Sequence, residues 1–360
     1  MEQVDICIVG GGVTGLAAAW RLGLAGRETM LLERFELDHS RGSSHGATRI
    51  FRFAYPDPLY VRMAQRSLPM WRELESASGE QLLKITGGLD VGDPKVVEAV
   101  AVAMESCRAE VERMPNTRRR APWLHVEGPA IYSPHTGVLA AARTLSALAA
   151  GARKAGVEIR EGAPATTVEM DLDGVTIRSP SGDIRSRRCI VVAGAWTAPL
   201  LEPVGISLPL SVTREQVFYV RPPADILPFI HYGPITRYAV PAFAGAAGVK
   251  IGEHMTGERT SADGRSFEMD PEGAARVASY IADAIPGLDP EPVSFETCLY
   301  TMTPDHDFIL DARGPLIVAS ACSGHGFKFA PLLGEALACM ATDRQVSFAM
   351  ERFALDRFGR

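Results

Sequence analysis

The stretch ICIVGGGVTG at residues 6–15 decides the fold of this 360-residue chain. An apolar run leads into three spaced glycines, an alanine-rich helical pattern follows over 16–24, and a second apolar run at 30–32 ends in Glu33. This order of strand, turn, helix, strand and acid is typical of a dinucleotide-binding βαβ unit, in which the acid accepts hydrogen bonds from a ribose. The sequence therefore predicts an α/β fold with a nucleotide site.

The three glycines, Gly10, Gly12 and Gly15, have different tasks in such a unit. The first permits the tight turn, the second lets the backbone approach a pyrophosphate, and the third lets the helix pack closely on the strand. The new helix N-terminus, with Val13 and Thr14, offers free N–H groups and a partial positive charge to phosphates. Because glycine-rich turns are common, the alternative is a structural turn that binds no nucleotide.

Composition and charge limit the classes of partner. The chain carries a net charge of -6, contains 46% hydrophobic residues, and has a length that favours two domains. Nucleic acids require a basic face, so this charge predicts no nucleic-acid partner. No apolar run reaches the length of a membrane span, and Glu2 and Asp5 stand where a signal peptide carries positive charge. These features predict a cytoplasmic protein with no membrane partner.

The six cysteines are scattered along the chain without a CxxC pair. This spacing predicts neither a zinc site nor a disulfide framework, and no metal is expected. Most of the thiols are expected to be small buried apolar groups. The positions are Cys7, Cys107, Cys189, Cys298, Cys322 and Cys339.

Hydrophobic periodicity and turn residues predict further helices and strands. The chain changes texture at 207–290, where short β-type runs alternate with proline- and glycine-rich turns around one helix near 271–284. The other predicted elements are helices at 57–78, 139–155 and 331–342, strands at 157–160, 189–196 and 316–320, and a hairpin from 175–177 and 184–186. Buried strands thus return after the β-rich stretch.

This return predicts a Rossmann-type domain that is discontinuous in sequence, with a β-rich (α+β) substrate domain inserted in it. The Rossmann-type domain is expected to contain residues 1–85, 140–206 and 300–360. The inserted domain is expected to contain residues 86–139 and 207–299.

Four stretches together resemble one known family. They are GGGVTG at 10–15, SSHGATRIFRFAY at 43–55, CLYTMTPD at 298–305 running on to DFILD at 307–311, and SGHGFKF at 323–329. Over nearly the whole chain, the sequence resembles the monomeric sarcosine oxidase and N-methyltryptophan oxidase family of flavoprotein amine oxidases. The resemblance implies FAD rather than NAD as the cofactor, a monomer, and a small amino-acid substrate with O2 as partners.

The reaction that the resemblance implies is oxidation of the C–N bond of a small secondary (N-methyl) amino acid such as sarcosine. The resulting imine hydrolyses, and O2 is reduced to hydrogen peroxide. The main alternative is an oxidase or dehydrogenase of a cyclic imino acid, of the pipecolate or proline type, in a biosynthetic pathway. An NAD-dependent dehydrogenase and a flavin-binding protein without catalysis are further alternatives. Converging charges at Arg49, Arg52 and Lys328 argue against the last of these.

The resemblance also implies roles for charged residues. Arg52 is expected to bind the substrate carboxylate, because a guanidinium matches a carboxylate bidentately. Arg49 resembles the family arginine close to the flavin ring. Lys328 is expected to lie near the flavin N5, hold a water and assist the reaction with oxygen by stabilising negative charge. Lys250 is expected to be a flavin-side or supporting charge.

Cys298 resembles the family cysteine that carries FAD through an 8α-thioether, and a thiolate there needs a positive neighbourhood. Tyr300, two residues later on an extended segment, is expected to line the substrate pocket. His254 resembles the family's active-site histidine, and Tyr238 is expected to join an aromatic cage around the amine.

The expected FAD-binding residues are shared among the four stretches and the end of the second strand. They are Gly10, Gly12, Val13, Thr14, Gly15, Glu33, Arg34, Ser43, Arg49, Cys298, Gly324, His325, Gly326, Phe327 and Lys328. Two departures bear on the substrate. Phe53 stands where the family often has histidine, and the region 221–240 shows little resemblance.

Overall fold

The computed structural model describes residues 1–221 and 226–359. Its α-helices are α1 (Val13–Leu24), α2 (Pro58–Ser78), α3 (Pro94–Ser106), α4 (Ala141–Lys154), α5 (Thr197–Leu201), α6 (Pro271–Ala284) and α7 (Ala330–Ala341). Short 3-10 helices lie at Gly194–Trp196, Glu202–Val204, Phe327–Phe329, Glu351–Phe353 and Leu355–Phe358. The helices predicted at 57–78, 139–155, 271–284 and 331–342 are therefore confirmed, with bounds shifted by two residues or fewer.

The strands form three sheets. The strands as far as residue 140 are β1 (Glu2–Val9), β2 (Thr29–Leu32), β3 (Thr48–Phe51), β4 (Leu83–Ile85), β5 (Gly88–Gly92), β6 (Glu112–Met114), β7 (Ala130–Ser133) and β8 (Gly137–Ala140). Those from residue 158 to 240 are β9 (Glu158–Arg160), β10 (Thr167–Asp171), β11 (Gly174–Arg178), β12 (Ile184–Val191), β13 (Ser211–Val220), β14 (Phe229–Tyr232) and β15 (Arg237–Val240). The last are β16 (Val249–Glu253), β17 (Glu258–Arg259), β18 (Ser294–Met302), β19 (Ile309–Arg313) and β20 (Leu316–Ser320).

The first sheet has a parallel centre in the order β9-β2-β1-β12-β20. Antiparallel strands extend this sheet. β11 pairs with the first half of β12, β10 pairs with β11, and β19 pairs with β20. The predicted hairpin is confirmed, but the separate strand predicted at 189–196 is wrong. Residues 184–191 form one strand, β12, because β1 pairs in parallel with its whole length, although β11 pairs only with its first half and β20 only with its second.

Both faces of the first sheet are buried, which explains the continuous apolar runs of its central strands. Along β1, Ile6 and Ile8 belong to a core formed with α1, α4 and α7, while Cys7 and Val9 belong to a second core on the opposite face. A parallel sheet covered on both faces has its ligand crevice at the carboxyl ends of the strands. Gly10, directly after β1, lies at that end.

The second sheet runs in the order β17-β13-β16-β15-β14-β5-β7-β6, and β18 pairs with β13. Helix α6 covers one face, where Val277 and Ile281 pack with Phe218 and Ile251. A small third sheet, β3-β8-β4, carries the 43–55 motif beside it. The predicted α/β fold with a β-rich part is confirmed.

The division into domains stays a prediction, and two of its boundaries can be located on the sheets. Residue 300 falls within β18, which continues in the second sheet to Met302. Residue 85 is the last residue of β4, which belongs to the third sheet, and the next strand, β5, belongs to the second sheet. No helix in residues 1–221 and 226–359 is long and apolar enough to cross a membrane.

Candidate active site

A cavity of about 870 Å³ is lined by residues of all three sheets. It runs from the glycine turn after β1 to the segment before α7. Gly15 does not line it, but the other predicted site residues do, and it brings them together from distant parts of the chain. The residues concerned are Gly10, Gly12, Val13, Thr14, Glu33, Arg34, Ser43, Arg49, Arg52, Tyr238, Lys250, His254, Cys298, Tyr300, Gly324, His325, Gly326, Phe327 and Lys328.

The glycine turn has the geometry that a phosphate-binding loop requires. Gly10 has φ +115°, and a Cβ there would lie 2.6 Å from the carbonyl oxygen of Val192, which directly follows the neighbouring strand β12. Helix α1 begins at Val13, whose N–H donates to Ser44 Oγ at 3.1 Å, and its N-cap residue Gly12 supplies no side-chain hydrogen bond. The open first turn is suited to an anion.

Glu33 is held in place by the backbone. It is 6% exposed, and its two carboxylate oxygens accept hydrogen bonds from the N–H groups of Gly11 at 2.7 Å and Phe35 at 2.9 Å. A carboxylate has about four acceptor sites, so lone pairs remain for the hydroxyls of a ribose.

Gly10→Ala is expected to abolish flavin binding and to destabilise the fold by more than about 1 kcal/mol, because a Cβ there meets backbone as well as an unfavourable φ. Gly26→Ala is the matched control. Gly26 also has positive φ, +68°, but a Cβ there would meet nothing within 4 Å. Urea unfolding and flavin content measure both effects. Wild-type stability and flavin content in Gly10→Ala would contradict the assignment of this turn.

A second group of contacts lies beyond the end of β2. Trp196 donates through Nε1 to Asp263 at 2.9 Å, and Arg34 forms an ion pair with the same carboxylate at 3.3 Å. Arg34 also lies over the rings of Phe35 and Trp196, at 5.2 and 5.7 Å from their centroids. This aromatic and cationic group lines the cavity beside Glu33, where the adenosine end of a dinucleotide would lie.

Arg49 organises the opposite part of the cavity. Its guanidinium donates to the backbone oxygens of Thr48 and Ser43, each at 2.9 Å, and lies 5.5 Å from the ring centroid of Phe327. Ser43 Oγ donates to the Leu299 oxygen at 2.6 Å. Strand β3 and its preceding loop are thereby fastened to β18.

Cys298 lies on β18 opposite Glu215 of β13 and lines the cavity. Burial raises the pKa of its thiol to about 11, against the effect of the nearby cations Arg49 and Lys250, which lower it. The positive neighbourhood expected from the sequence is therefore present, but burial has the larger effect on this thiol.

Lys250 is a second cation on this side of the cavity. Its Nζ donates to the Thr48 backbone oxygen, and the residue is 4% exposed. Burial and the neighbouring Arg49 lower its pKa to about 7, which Glu296 and Cys298 oppose.

Arg52 lies at the other end of β3 in a different charge environment. Its Nη1 donates to Asp90 Oδ1 at 2.9 Å and to the Tyr232 hydroxyl at 3.0 Å, and that hydroxyl donates to the same carboxylate oxygen at 2.6 Å. Burial lowers the pKa of Arg52, but Tyr232, Asp90 and Tyr55 outweigh it, and the pKa lies above its ordinary value. Arg52 therefore stays charged.

Lys328 is 4% exposed, and its Nζ donates to the Tyr55 hydroxyl at 2.7 Å and to the His325 backbone oxygen at 2.8 Å. The Tyr55 ring also lies 4.6 Å from the Arg52 guanidinium, so one tyrosine separates the two cations. Burial and Arg52 lower the pKa of Lys328 well below its usual range. Within the described residues no ion pair compensates Lys328, so an anion in the cavity would supply the missing charge.

Three rings, those of His254, Tyr300 and Tyr238, line another part of the cavity. His254 Nδ1 lies 3.5 Å from the Tyr300 hydroxyl, and a side-chain hydrogen bond joins Tyr300 and Tyr238. Gly324, with φ +73°, allows this approach, because a Cβ there would lie 2.7 Å from the Tyr300 ring and 3.0 Å from that of His254. Burial, Arg52 and Lys328 lower the pKa of His254 to about 4, so the imidazole is uncharged at neutral pH.

Residues 5–340 match the family model described as "DAO: FAD dependent oxidoreductase". The chain belongs to this family. The oxidoreductase is 32% identical to monomeric sarcosine oxidase from Bacillus sp. (strain NS-129), over 98% of this chain and 96% of that protein. It is 31% identical to human peroxisomal sarcosine oxidase, again over 98% and 96%. The resemblance inferred from the four motifs is confirmed.

A solved structure supports the same relationship. NikD, described as an unusual amino acid oxidase essential for nikkomycin biosynthesis, superposes with a TM-score of 0.88 at 27% identity. The match covers 98% of each chain. The oxidoreductase therefore has the fold of FAD-dependent amino-acid oxidases, and the predicted enzyme class is confirmed.

The residues described above fit FAD. The open first turn of α1 suits the pyrophosphate, Glu33 suits the ribose, and the long cavity continues past Arg49 to Cys298, where the ring end would lie. The dependence on FAD follows from the family. Among residues 1–221 and 226–359, no group of three or more His, Cys, Asp or Glu is placed to hold a metal ion.

Sequence reasoning missed residues that the structure adds to the site. They are Asp90, Tyr232, Trp196 and Asp263, together with Tyr55, which lies in the quoted 43–55 motif without an assigned role. Asp90 carried a signal, because a carboxylate between Leu89 and Val91 in the otherwise apolar strand β5 requires a buried partner. Asp263 lies in the loop between β17 and α6, and no local sequence pattern predicts its contact with Trp196.

Proposed function

We propose that this FAD-dependent oxidoreductase oxidises the C–N bond of a small secondary amino acid, of the N-methyl type such as sarcosine, with O2 as the electron acceptor. The observation that carries the proposal is the buried ammonium of Lys328. It lies beside the charged guanidinium of Arg52 and opens onto a cavity walled by aromatic rings. A small molecule with one carboxylate and an amine matches this arrangement of charge.

Bound FAD supplies the chemistry of the oxidation, since it accepts two electrons from the C–N bond of the substrate. The protein binds the substrate carboxylate between Arg52 and Lys328. Charge-assisted hydrogen bonds to a carboxylate are strong, and they are stronger in a site that excludes water. An anion there would also raise the pKa of Lys328, which burial and Arg52 lower.

The aromatic residues orient the amine. With the carboxylate fixed, the amine nitrogen lies towards Tyr238, Tyr300 and His254, which converge on the same part of the cavity. An uncharged imidazole adds no positive charge next to the amine and has a nitrogen that accepts a hydrogen bond from it. This keeps the lone pair of the amine available, as the oxidation requires.

The sequence-based hypothesis assigned the oxygen step to Lys328. The contacts of the two buried lysines support a different division of work. Lys328 shares Tyr55 with the carboxylate-binding Arg52, whereas Lys250 lies with Arg49 and Cys298 on the flavin side. We therefore assign anion binding to Lys328 and stabilisation of the charge that develops on O2 to Lys250.

Cys298 is proposed to carry FAD through an 8α-thioether. Its place on the cavity wall beside Arg49 and Lys250 supports the proposal. Cys298→Ala is expected to retain FAD without a covalent bond, so that the yellow colour moves from the acid-precipitated pellet to the supernatant. Cys322→Ala is the control, since Cys322 lines the same cavity. Mass spectrometry that finds the wild-type adduct on Cys322, or finds none, would overturn this assignment.

We propose that the oxidoreductase is a cytoplasmic monomer, whose discontinuous Rossmann-type domain surrounds an inserted substrate domain. The likeness to relatives described as monomeric sarcosine oxidase supports the monomer. Light scattering of the purified holoenzyme tests it, and a mass near twice 38.7 kDa would contradict it.

A peroxide assay tests the substrate class. Sarcosine, other N-methyl amino acids, pipecolate, proline and glycine are offered singly to the air-saturated holoenzyme. The proposal predicts peroxide with sarcosine or another N-methyl amino acid at a higher kcat/KM than with the cyclic or primary compounds. Preference for pipecolate or proline would establish the cyclic alternative, and flavin reduction without peroxide would indicate a dehydrogenase.

A further inference from the structure

We propose that Asp90, together with Tyr232, is a positioning pair that fixes the guanidinium of Arg52 for binding of the substrate carboxylate. The proposal rests on the function proposed above, because it concerns the residue that receives the carboxylate. It adds residues of β5 and β14 to the carboxylate-binding group, whose two cations come from the 43–55 motif and the segment before α7.

The contacts are concentrated on one nitrogen of Arg52. Among the described residues, its three hydrogen bonds all engage Nη1, with the Asp90 carboxylate, the Tyr232 hydroxyl and the Ala54 backbone oxygen as acceptors. Nη2 and Nε are thereby left as the pair of donors for a ligand. A guanidinium held at one end presents the rest of its fork in a fixed orientation.

The positions of the two partners differ in a way that defines their role. Arg52 and Tyr232 line the cavity, whereas Asp90 does not and is 1% exposed. Asp90 therefore acts on a ligand through Arg52 and not by contact. Since β5 pairs with β14, with Gly92 opposite Tyr232, the backbone ladder sets the distance between carboxylate and hydroxyl. The Tyr232 hydroxyl then closes the triangle by donating to Asp90 at 2.6 Å.

Positioning has two alternatives that a measurement can separate. Asp90 could act only as a counter-charge, which would lower the affinity of the site for any anion. It could also act only as a structural residue that pairs with a buried arginine, whose loss would destabilise the fold. Orientation depends on the hydrogen bonds of Asp90, whereas the counter-charge effect depends on its negative charge alone.

Asp90→Asn and Asp90→Ala separate these roles. The asparagine keeps an oxygen acceptor for Nη1 and for Tyr232 without the charge, and alanine removes both. The dissociation constants of pyrrole-2-carboxylate and of the uncharged pyrrole-2-carboxamide are measured for each holoenzyme from the change in the visible flavin spectrum. Flavin content and the midpoint of thermal unfolding are recorded beside them.

The proposal predicts that Asp90→Ala weakens carboxylate binding by about tenfold or more, a loss of about 1.4 kcal/mol, while Asp90→Asn stays within about threefold of the wild type. Carboxamide binding is expected to stay unchanged in both. Tyr232→Phe removes the hydroxyl that bonds to both Arg52 and Asp90, and it is expected to weaken carboxylate binding. It provides a second test if Asp90→Ala does not fold.

Three results would overturn the proposal. Unchanged carboxylate binding in Asp90→Ala and in Tyr232→Phe would leave Asp90 a structural residue. Tighter carboxylate binding in both Asp90 variants would make it a counter-charge. A wild type that binds carboxylate and carboxamide equally would remove the carboxylate site itself, and with it the proposed function. In the first two cases only the role of Asp90 would fall.

Discussion

Arg52→Ala is expected to weaken binding of pyrrole-2-carboxylate by about 2–5 kcal/mol, roughly 30-fold or more, because a buried charge-assisted pair loses one partner. The variant also leaves Asp90 buried without its guanidinium, so part of the loss reflects an unpaired carboxylate. FAD content is expected to stay near that of the wild type, since the hydrogen bonds of Arg52 with Ala54, Asp90 and Tyr232 involve neither the glycine turn nor Glu33.

The controls for this measurement come from the ligand and from the chain. Pyrrole-2-carboxamide lacks the charge and is expected to bind the variant and the wild type alike. Arg143→Ala removes a surface arginine whose side chain is 40% exposed and lies 3.8 Å from Glu80. It is expected to change neither constant. An unchanged affinity of Arg52→Ala for the carboxylate would remove Arg52 from the substrate site.

Lys250→Met and Lys328→Met are expected to slow different halves of the catalytic cycle. Lys250→Met should slow the reaction of the reduced holoenzyme with O2 by about 100-fold, because removal of one fixed charge next to a developing anion costs about 3 kcal/mol. Its reduction by substrate should change little. Lys328→Met should instead raise the substrate concentration needed for half-maximal reduction, since it removes one of two carboxylate-binding cations.

Stopped-flow spectroscopy measures both half-reactions in each variant. Burial and Arg49 lower the pKa of Lys250 to about 7, so its side-chain amine is protonated and charged below this pH and neutral above it. The wild-type rate with O2 is therefore expected to fall as the pH rises through about 7, and Lys250→Met should lose this dependence. Slowing of the oxygen reaction in Lys328→Met alone would restore the sequence-based hypothesis for that residue.

Local patterns in the sequence were sufficient for the nucleotide-binding part of the fold. The glycine spacing, the helix over α1 and the acid at Glu33 depend on neighbours in sequence, and each is found where it was predicted. The same holds for α6, which the structure places at Pro271–Ala284 as its periodicity predicts. Elements whose course depends on pairing were predicted less well. One strand, β12, was divided in two because its halves pair with different neighbours.

The site divides along the same line. Motifs within short stretches identified Arg49, Arg52, Cys298 and Lys328, which all line one cavity. The contacts that distinguish Lys328 from Lys250 depend on tertiary structure, since Lys328 donates a hydrogen bond to Tyr55, which is 273 residues away in the sequence.

Long-range pairing also explains why the positioning pair was missed. Asp90 and Tyr232 are 142 residues apart and meet because β5 pairs with β14. No pattern in a single sequence predicts that particular pairing. A buried aspartate in an apolar strand indicates only that some partner exists.

Anaerobic mixing of the purified holoenzyme with sarcosine and other N-methyl amino acids tests the central claim most directly. We expect loss of the visible absorbance of the oxidised flavin with at least one of these substrates, and its return with formation of hydrogen peroxide when O2 is admitted. A purified protein that contains no flavin, or one whose flavin none of these amino acids reduces, would contradict it.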